Sequence, residues 1–409
     1  MSAERWGRFT ARGSPQVEQG ISEIVGRIAE SAQRVLGRSP FRALILFGGY
    51  GRGEGGCEVD ESGERPHNDL DFLLITPGPS RRGPGLKAAL DREIRPIGRQ
   101  SGIEVELGAI SERALRRAPC RVMWYEMRFG HKTILGDAGF VPSLHHFAVE
   151  RIPPSDVRNL LVNRGSLLLI NELLLDRGGT SVHDRRTLVR HGMKAIIGYG
   201  DALLFFLGQY HWSYVEKQRR MRALAGASPE MRALYEEATE FRFAPRYADY
   251  VDRDLRAWNR ELLEKLEPVH LRCESLRLGR ATPGWRAYAD TALSQVPFER
   301  AFDLRIAARK ARNLVAAPTL RVSAGVMGRL GVRMAGPEGV LPIVFPLVAY
   351  SGAGSDQARQ AGAVLGVAGD SRPALIRAYL EQWGLYGDPN FPQIHDDVTV
   401  VFSGAGAGG

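Results

Sequence analysis

The chain has 409 residues, which is enough for two or three domains and a large buried core. Hydrophobic residues make up 44% and charged residues 25%, a composition typical of a soluble globular protein. The formal net charge is +9, yet only six of the 55 basic residues are lysines and the arginines are scattered through helical segments. The charge alone therefore does not indicate a nucleic-acid-binding protein, although a basic cleft for a polyanionic substrate would account for it.

The cysteines and the apolar runs indicate the cellular compartment of the protein. The cysteines are Cys57, Cys120 and Cys273. They form neither a disulfide framework nor a zinc spacing, which favours a reducing cytoplasm. The first residues are not followed by the apolar core of a signal peptide. No run reaches the length of a membrane span, because 195–208 is interrupted by Asp201 and 339–350 is short and holds two prolines. We therefore expect a cytoplasmic protein with no membrane partner.

The first elements in chain order surround a glycine-rich turn. Apolar residues recur at helical spacing over 18–37, which predicts an amphipathic helix before the first strand. Strands are predicted at 42–47 and 69–76, separated by the sequence GGYGRGE at 48–54 and a polar loop at 55–68. Glycines leave backbone N–H groups accessible, so this turn is a candidate anion-binding segment.

Two aspartates lie close together in the second predicted strand. Asp69 and Asp71 are two residues apart, so they point to one face while Leu70 and Phe72 point into a core. Aspartate is depleted in strands, and two carboxylates on one face repel each other unless a cation lies between them. Mg²⁺ prefers such oxygen ligands and bridges carboxylates to phosphate oxygens. The pattern therefore predicts a Mg²⁺ site beside the glycine turn.

A further acidic strand follows a predicted helix. Residues 86–95 indicate a helix that Pro96 ends, and 102–107 alternate apolar and acidic side chains, which predicts a third strand. Glu104 and Glu106 share one face of that strand, and either could supply a third carboxylate. No Ser/His/Asp or Cys/His motif is evident. His145-His146 and His183-Asp184 lack further ligands at metal spacing.

The glycine turn and the aspartate pair together resemble a known signature. The run GGYGRGE at 48–54, followed by Asp69-Leu70-Asp71, is similar to the signature of the DNA polymerase β-like nucleotidyltransferase superfamily, in the form found in bacterial PII protein uridylyltransferases. The resemblance covers roughly residues 41–110. It departs from the family in the fourteen residues between Glu54 and Asp69, and no phosphohydrolase module or sensing repeat follows.

The resemblance implies an α+β fold, in which a mixed sheet with flanking helices precedes an all-helical domain. It also implies transfer of a nucleoside monophosphate from ATP or another nucleoside triphosphate to a hydroxyl group, with release of pyrophosphate. Asp69, Asp71 and a third acid, Glu106 in preference to Glu104, would hold two Mg²⁺ ions. The acceptor stays open among a small molecule, a protein and RNA. The alternatives are a toxin-like or signalling enzyme that acts on tRNA or makes nucleotide messengers, and an inactive binding scaffold. The intact acids argue against a scaffold.

The resemblance assigns nucleotide binding to Gly48, Gly49, Tyr50 and Arg52. Arg52 could contact a phosphate or the metal-binding carboxylates, or could pair with Glu54 instead. For Tyr50, packing beneath the turn and stacking on a base are both open, and packing is favoured. Glu54 is expected to order the turn.

We expect four segments: an N-terminal helix at 1–40, a catalytic domain at 41–150, a helical bundle at 151–350, and C-terminal helices with a flexible tail at 351–409. Helices are predicted at 156–175, 183–207, 213–224, 229–241, 246–267 and 297–315. The resemblance also implies a helical-domain lysine that reaches the terminal phosphates, for which Lys194 is the candidate and Lys217 the second choice. An ion pair with Asp201, seven residues from Lys194, is the alternative for Lys194.

Overall fold

The chain divides into two compact units in a computed structural model. The structure describes residues 5–37, 39–61, 63–78, 83–178, 181–295, 304–316, 326–352, 354–368 and 371–387. The first unit comprises Met1–Asp156 and Gly208–Tyr250, and the second comprises Val157–Leu207 and Val251–Gly409. Residues 208–250, which the sequence suggested to be part of the helical bundle, thus cluster with the sheet.

The described strands all lie in the first unit. They are β1 (Ala43–Phe47), β2 (Gly56–Asp60), β3 (Gly63–His67), β4 (Leu70–Thr76), β5 (Val105–Ser111) and β6 (Lys132–Gly136). Four of them form a mixed sheet in the order β5-β4-β1-β6. β1 is antiparallel to both of its neighbours, whereas β4 and β5 are parallel. β2 and β3 form a separate antiparallel hairpin.

Helices make up most of the remaining structure. In chain order they are α1 (Pro15–Leu36), α2 (Gly48–Arg52), α3 (Gly83–Gln100), α4 (Glu112–Arg116), α5 (Val122–Phe129), α6 (Pro154–Asp176), α7 (Val182–Phe206), α8 (Tyr214–Ala223), α9 (Pro229–Phe243), α10 (Leu255–Leu278), α11 (Trp285–Gln295), α12 (Leu304–Ala316), α13 (Val326–Ala349), α14 (Asp356–Leu365) and α15 (Arg372–Tyr386). The predicted α+β class, a mixed sheet followed by a helical part, is confirmed.

The main buried cluster of the first unit packs against one face of the sheet. Alternate residues of β4, namely Leu70, Phe72 and Leu74, join the buried cluster together with side chains of α1 and α3. Because side chains alternate along a strand, Asp71 and its neighbours two residues away point to the opposite face. Burial of each large apolar side chain stabilises the unit by roughly 1.5–3 kcal/mol. The same packing that fixes the sheet thus holds the acidic face in place.

Three local expectations for the first unit are corrected. Residues 55–68 are not a loop, because they hold the β2–β3 hairpin. Pro96 does not end α3, which continues to Gln100 with the buried Ile94 and Ile97 on either side of the proline. The third strand begins at Val105 rather than at residue 102, because 101–104 form the turn that ends α3. Ile103 lies in this turn and its side chain is buried. The alternation of apolar and acidic residues in the sequence therefore starts before the first residue of the strand.

Helices are the regular secondary structure of the second unit within its described residues. A polar network ties three of its helices together, since His191 Nδ1 lies 2.9 Å from Asn171 Oδ1 and Asn171 Nδ2 donates to Asn259 Oδ1 at 3.1 Å. The predicted helix at 297–315 is represented by α12, and residues 297–303 lie outside the described residues, as does the predicted tail.

One described helix segment, Arg329–Ala349 of α13, has the length and hydropathy of a membrane span. It is longer than the short apolar run that the sequence suggested, because the helix continues past Pro337, Pro342 and Pro346. A kink at Gly336, with φ of 62°, interrupts it. Of its most apolar window, 72% is buried inside the structure, as in a core helix.

Candidate active site

Three carboxylates converge on the face of the sheet opposite to the main buried cluster. Asp71 of β4 and Glu106 of β5 are direct partners in the parallel register, and Asp69 immediately precedes β4. One oxygen from each of Asp69, Asp71 and Glu106 lies within 4.8 Å of the others. Within the described residues this is the one group of three or more His, Cys, Asp or Glu side chains with metal-binding spacing.

Glu104 is not part of this group. It lies in the turn before β5, where its backbone carbonyl accepts a hydrogen bond from Leu70 N at 2.8 Å. Only Glu106 is in the strand and in register with Asp71. Of the two acids that the sequence left open, the structure therefore places Glu106 beside the aspartates.

The glycine-rich segment lies against the same carboxylates. The predicted Gly-Gly turn is the short helix α2, which begins at Gly48 directly after β1. Gly48 has φ of +68°, and a Cβ at this position would overlap the Asp71 carboxylate. A Cβ on Gly51 would lie 2.5 Å from the carbonyl oxygen of Leu46. Glycine is thus required at Gly48 both for the backbone conformation and for the close approach to Asp71.

Burial and mutual repulsion raise the pKa values of two of these carboxylates. Burial raises the pKa of Asp71 to about 7, and the charges of Asp69 and Glu106 add to this effect. Partial burial, followed by the charge of Asp69, also raises the pKa of Glu106. Three hard oxygen donors that repel one another fit a divalent cation such as Mg²⁺. Asp69, Asp71 and Glu106 are the residues that would hold it.

Tyr50 packs beneath the glycine segment. Its side chain is 2% exposed, and its hydroxyl donates to the carbonyl oxygens of Gly56 at 3.0 Å and His67 at 2.9 Å. A Cβ on Gly55 would overlap the tyrosine ring. Of the two interpretations of Tyr50, the structure favours packing over stacking on a base.

Arg52 is buried in an ion-pair network rather than exposed to a ligand. Its Nη1 lies 3.1 Å from Glu126 Oε2, and its Nε lies 3.6 Å from Glu54 Oε2. Lys217, which is fully buried, donates from Nζ to the other Glu126 oxygen at 2.7 Å and to the Tyr210 hydroxyl at 3.1 Å. Burial disfavours an ionised Glu126, but Lys217 and Arg52 outweigh it and lower the pKa of this carboxyl. Both cations are thus neutralised within the protein.

Glu54 connects the glycine segment to α8. Its carboxylate accepts hydrogen bonds from Ser213 Oγ at 2.5 Å and from Tyr214 N at 2.8 Å. Both donors belong to the first turn of α8, where a negative charge is favourable. Glu54 therefore orders the segment, as expected, and does so by holding the start of the helix that carries Lys217.

Glu126 was missed by the sequence reasoning, because nothing in its local pattern distinguishes it from a surface glutamate of a short helix. Lys194 is exposed on α7 in the second unit, and Asp201 of the same helix is 2% exposed. The role of Lys194 in nucleotide binding stays a prediction.

Comparisons with known proteins identify no family. No protein-family model matches the chain, and no curated protein sequence matches it significantly. Among solved structures, the chain is similar to spectinomycin adenyltransferase AAD(9) from Enterococcus faecialis, determined with ATP and spectinomycin. The match has a TM-score of 0.36 and 17% sequence identity, and it covers 60% of this chain and 98% of the other. A likeness at this level carries no inference about the activity of this chain.

Proposed function

We propose that this protein is a Mg²⁺-dependent nucleotidyltransferase. It would transfer a nucleoside monophosphate from ATP or another nucleoside triphosphate to a hydroxyl group and release pyrophosphate. The observation that carries this proposal is the convergence of Asp69, Asp71 and Glu106 within 4.8 Å. These carboxylates lie beside Gly48, where there is no room for a Cβ. Carboxylates at this spacing are what phosphoryl-group transfer with bound metal ions requires.

The reaction joins the acceptor oxygen to the α-phosphorus and breaks the bond from that phosphorus to the pyrophosphate oxygen. Bound Mg²⁺ would supply charge neutralisation for the phosphate oxygens and for the developing alkoxide. Asp69 and Asp71 hold the nucleotide end of the site. Glu106 is exposed, and its raised pKa suits it to accept the proton of the attacking hydroxyl.

The state of the cysteines is consistent with a reaction in the cytoplasm. Cys57, Cys120 and Cys273 are all free and buried, which is compatible with a reducing compartment. The carboxylates would bind Mg²⁺, and the glycine segment would bind the nucleoside triphosphate. The acceptor is a small molecule, a protein or RNA.

The test is to incubate the purified protein with cell extract, Mg²⁺ and each of the four labelled nucleoside triphosphates. We expect pyrophosphate release and a labelled adduct with at least one triphosphate, both lost when EDTA is added. Separating small molecules, protein and RNA before mass spectrometry identifies the acceptor class, and a label in tRNA would assign the enzyme to the RNA-acting type. Failure to form any adduct, or an equal yield from Asp71→Asn, would overturn the proposal.

A further inference from the structure

Three cations surround the ring of Tyr214 in the first unit. Lys217 Nζ lies 4.1 Å from the ring centroid, Arg242 Cζ lies 4.3 Å from it, and Arg52 Cζ lies 5.1 Å from it. Arg52 and Lys217 are paired with the buried carboxylates of Glu54 and Glu126. Two positive charges thus meet two negative charges, and Arg242 is the cation in excess.

The Arg242 side chain makes no hydrogen bond or ion pair to any of the residues that the structure describes. Its Nε is buried without a hydrogen-bond partner, and the residue as a whole is only partly exposed. A half-buried guanidinium without an acid partner is unfavourable unless an anion completes it. The protein offers it an aromatic face but no carboxylate at bonding distance.

The guanidinium lies beside the glycine segment. Arg242 is the penultimate residue of α9, and its Nη2 is 3.6 Å from the position that a Cβ on Gly49 would take. Arg242 is therefore next to the segment that the proposed function assigns to the triphosphate, and it belongs to the same unit as the carboxylates.

The contact between Arg242 and the Tyr214 ring suits phosphate recognition. A guanidinium whose Cζ lies 4.3 Å from an aromatic ring centroid is held by a cation–π contact, and it loses less side-chain freedom when an anion binds than a mobile side chain would. Two guanidinium N–H groups match two oxygens of one phosphate, in a charge-assisted bidentate contact. An ammonium group on a flexible lysine cannot reproduce this arrangement.

We infer that Arg242 binds the phosphate groups of the nucleoside triphosphate, with Tyr214 as the platform that orients it. This inference rests on the proposed nucleotidyltransferase function. The sequence had suggested Lys194, in the helical part of the chain, as the cation that contacts the terminal phosphates. The inference gives this role to Arg242 in the first unit.

The test uses inorganic tripolyphosphate, which carries the phosphate chain without a base, in calorimetric titrations at saturating Mg²⁺. Arg242→Ala should weaken tripolyphosphate and triphosphate binding by about 10- to 100-fold, and nucleoside monophosphate binding by less. Arg242→Lys should recover only part of the loss. Arg222→Ala is the matched control, because Arg222 is 57% exposed on α8 and paired with Glu236. Neither Arg242 variant should lower the melting temperature appreciably, because no ion pair is removed.

The outcomes separate the two proposals. If the wild-type protein binds a triphosphate and Arg242→Ala binds tripolyphosphate equally well, the inference is wrong while the proposed function stands. A loss in Lys194→Ala alone would transfer the role to Lys194, and a loss of Mg²⁺ affinity alone would make Arg242 a counter-ion of Asp71. Both results overturn the inference. If the wild-type protein binds neither tripolyphosphate nor any of the four triphosphates, the proposed function itself fails.

Discussion

Gly48 and Asp71 share a space that has no room for one further carbon atom. The last residue of β1, Phe47, is the register partner of Asp71, so the chain turns away from the sheet directly beside this carboxylate. A Cβ on Gly48 would overlap the Asp71 side chain. The glycine and the acid, distant in sequence, therefore constrain each other, and this contact is the basis of the first prediction.

Gly48→Ala is expected to abolish Mg²⁺ binding and to lower stability. The left-handed backbone at Gly48 and the overlap with Asp71 both oppose a methyl group, at a combined cost of about 2–4 kcal/mol. Urea unfolding and Mg²⁺ titration measure the two effects. Gly20→Ala in α1 is the control, because a Cβ there meets nothing within 4 Å. It should be neutral or stabilising by up to about 1 kcal/mol. An unchanged Mg²⁺ affinity in Gly48→Ala would contradict the site geometry.

Asp71→Asn should reduce nucleotidyl transfer by several orders of magnitude while the fold survives. The change removes a charged metal ligand and alters the side-chain volume very little. Glu104→Gln removes an acid that lies outside the carboxylate group, so it serves as the control and should retain most activity. Turnover is measured at saturating Mg²⁺ and triphosphate, with circular dichroism to verify folding. Comparable turnover in both variants would place the chemistry elsewhere.

The metal-free protein should lose stability as the pH rises toward 8. Asp71 has its pKa raised from an ordinary 3.8 to about 7, so the folded state favours its protonated form. The stabilisation from this group is complete below its unfolded pKa and is lost as the pH rises through the folded value. Mg²⁺ prefers the ionised form, and it should therefore raise the melting temperature more at pH 8 than at pH 5.5. Melting curves in EDTA and in Mg²⁺ test this, and Asp71→Asn should show a much smaller pH dependence of the difference. A Mg²⁺ effect that is equal at both pH values would refute the assignment.

Glu126→Gln should destabilise the first unit by about 3–5 kcal/mol, because it leaves Lys217 buried without its ionic partner. Glu150→Gln changes an exposed glutamate and should stay within about 0.5 kcal/mol of the wild type. Adding Lys217→Met to Glu126→Gln removes both charges and should restore part of the stability. Since Lys217 is fully buried, the double variant is expected to keep tripolyphosphate affinity within a few-fold. A large loss of that affinity would instead show that Lys217 reaches the ligand.

The features that could be predicted from the sequence were those encoded locally. The alternation around Asp69 and Asp71 has the period of a strand, and the core side chains Leu70 and Phe72 confirm the assignment of faces. The family resemblance favoured Glu106 over Glu104, but the parallel register of β5 with β4, which places Glu106 opposite Asp71, is specified by no local pattern.

The remaining features depend on contacts between distant residues. Glu126 and Lys217 are 91 residues apart, and neither local sequence shows that the fold pairs them in a buried network. Arg242 could not be found from the sequence for the same reason, because its contact with the Tyr214 ring and its place beside Gly49 arise only from tertiary packing. The hairpin at 56–67 was hidden by its polar composition, since much of it faces solvent.

Residues 208–250 belong to the first unit, although they are synthesised after residues 157–207 of the second unit. Glu54 is synthesised 160 residues before Tyr214, whose backbone N–H it accepts, and Glu126 emerges 91 residues before Lys217. Until the ribosome has added α8 and α9, the nascent N-terminal half holds buried acids and Arg52 without their full set of partners. A gene shortened at residue 156 would encode all three carboxylates of the site, yet the product would be expected to aggregate or to be degraded. The smallest fragment that retains the site has to include residues 208–250, the part of the first unit that is synthesised last.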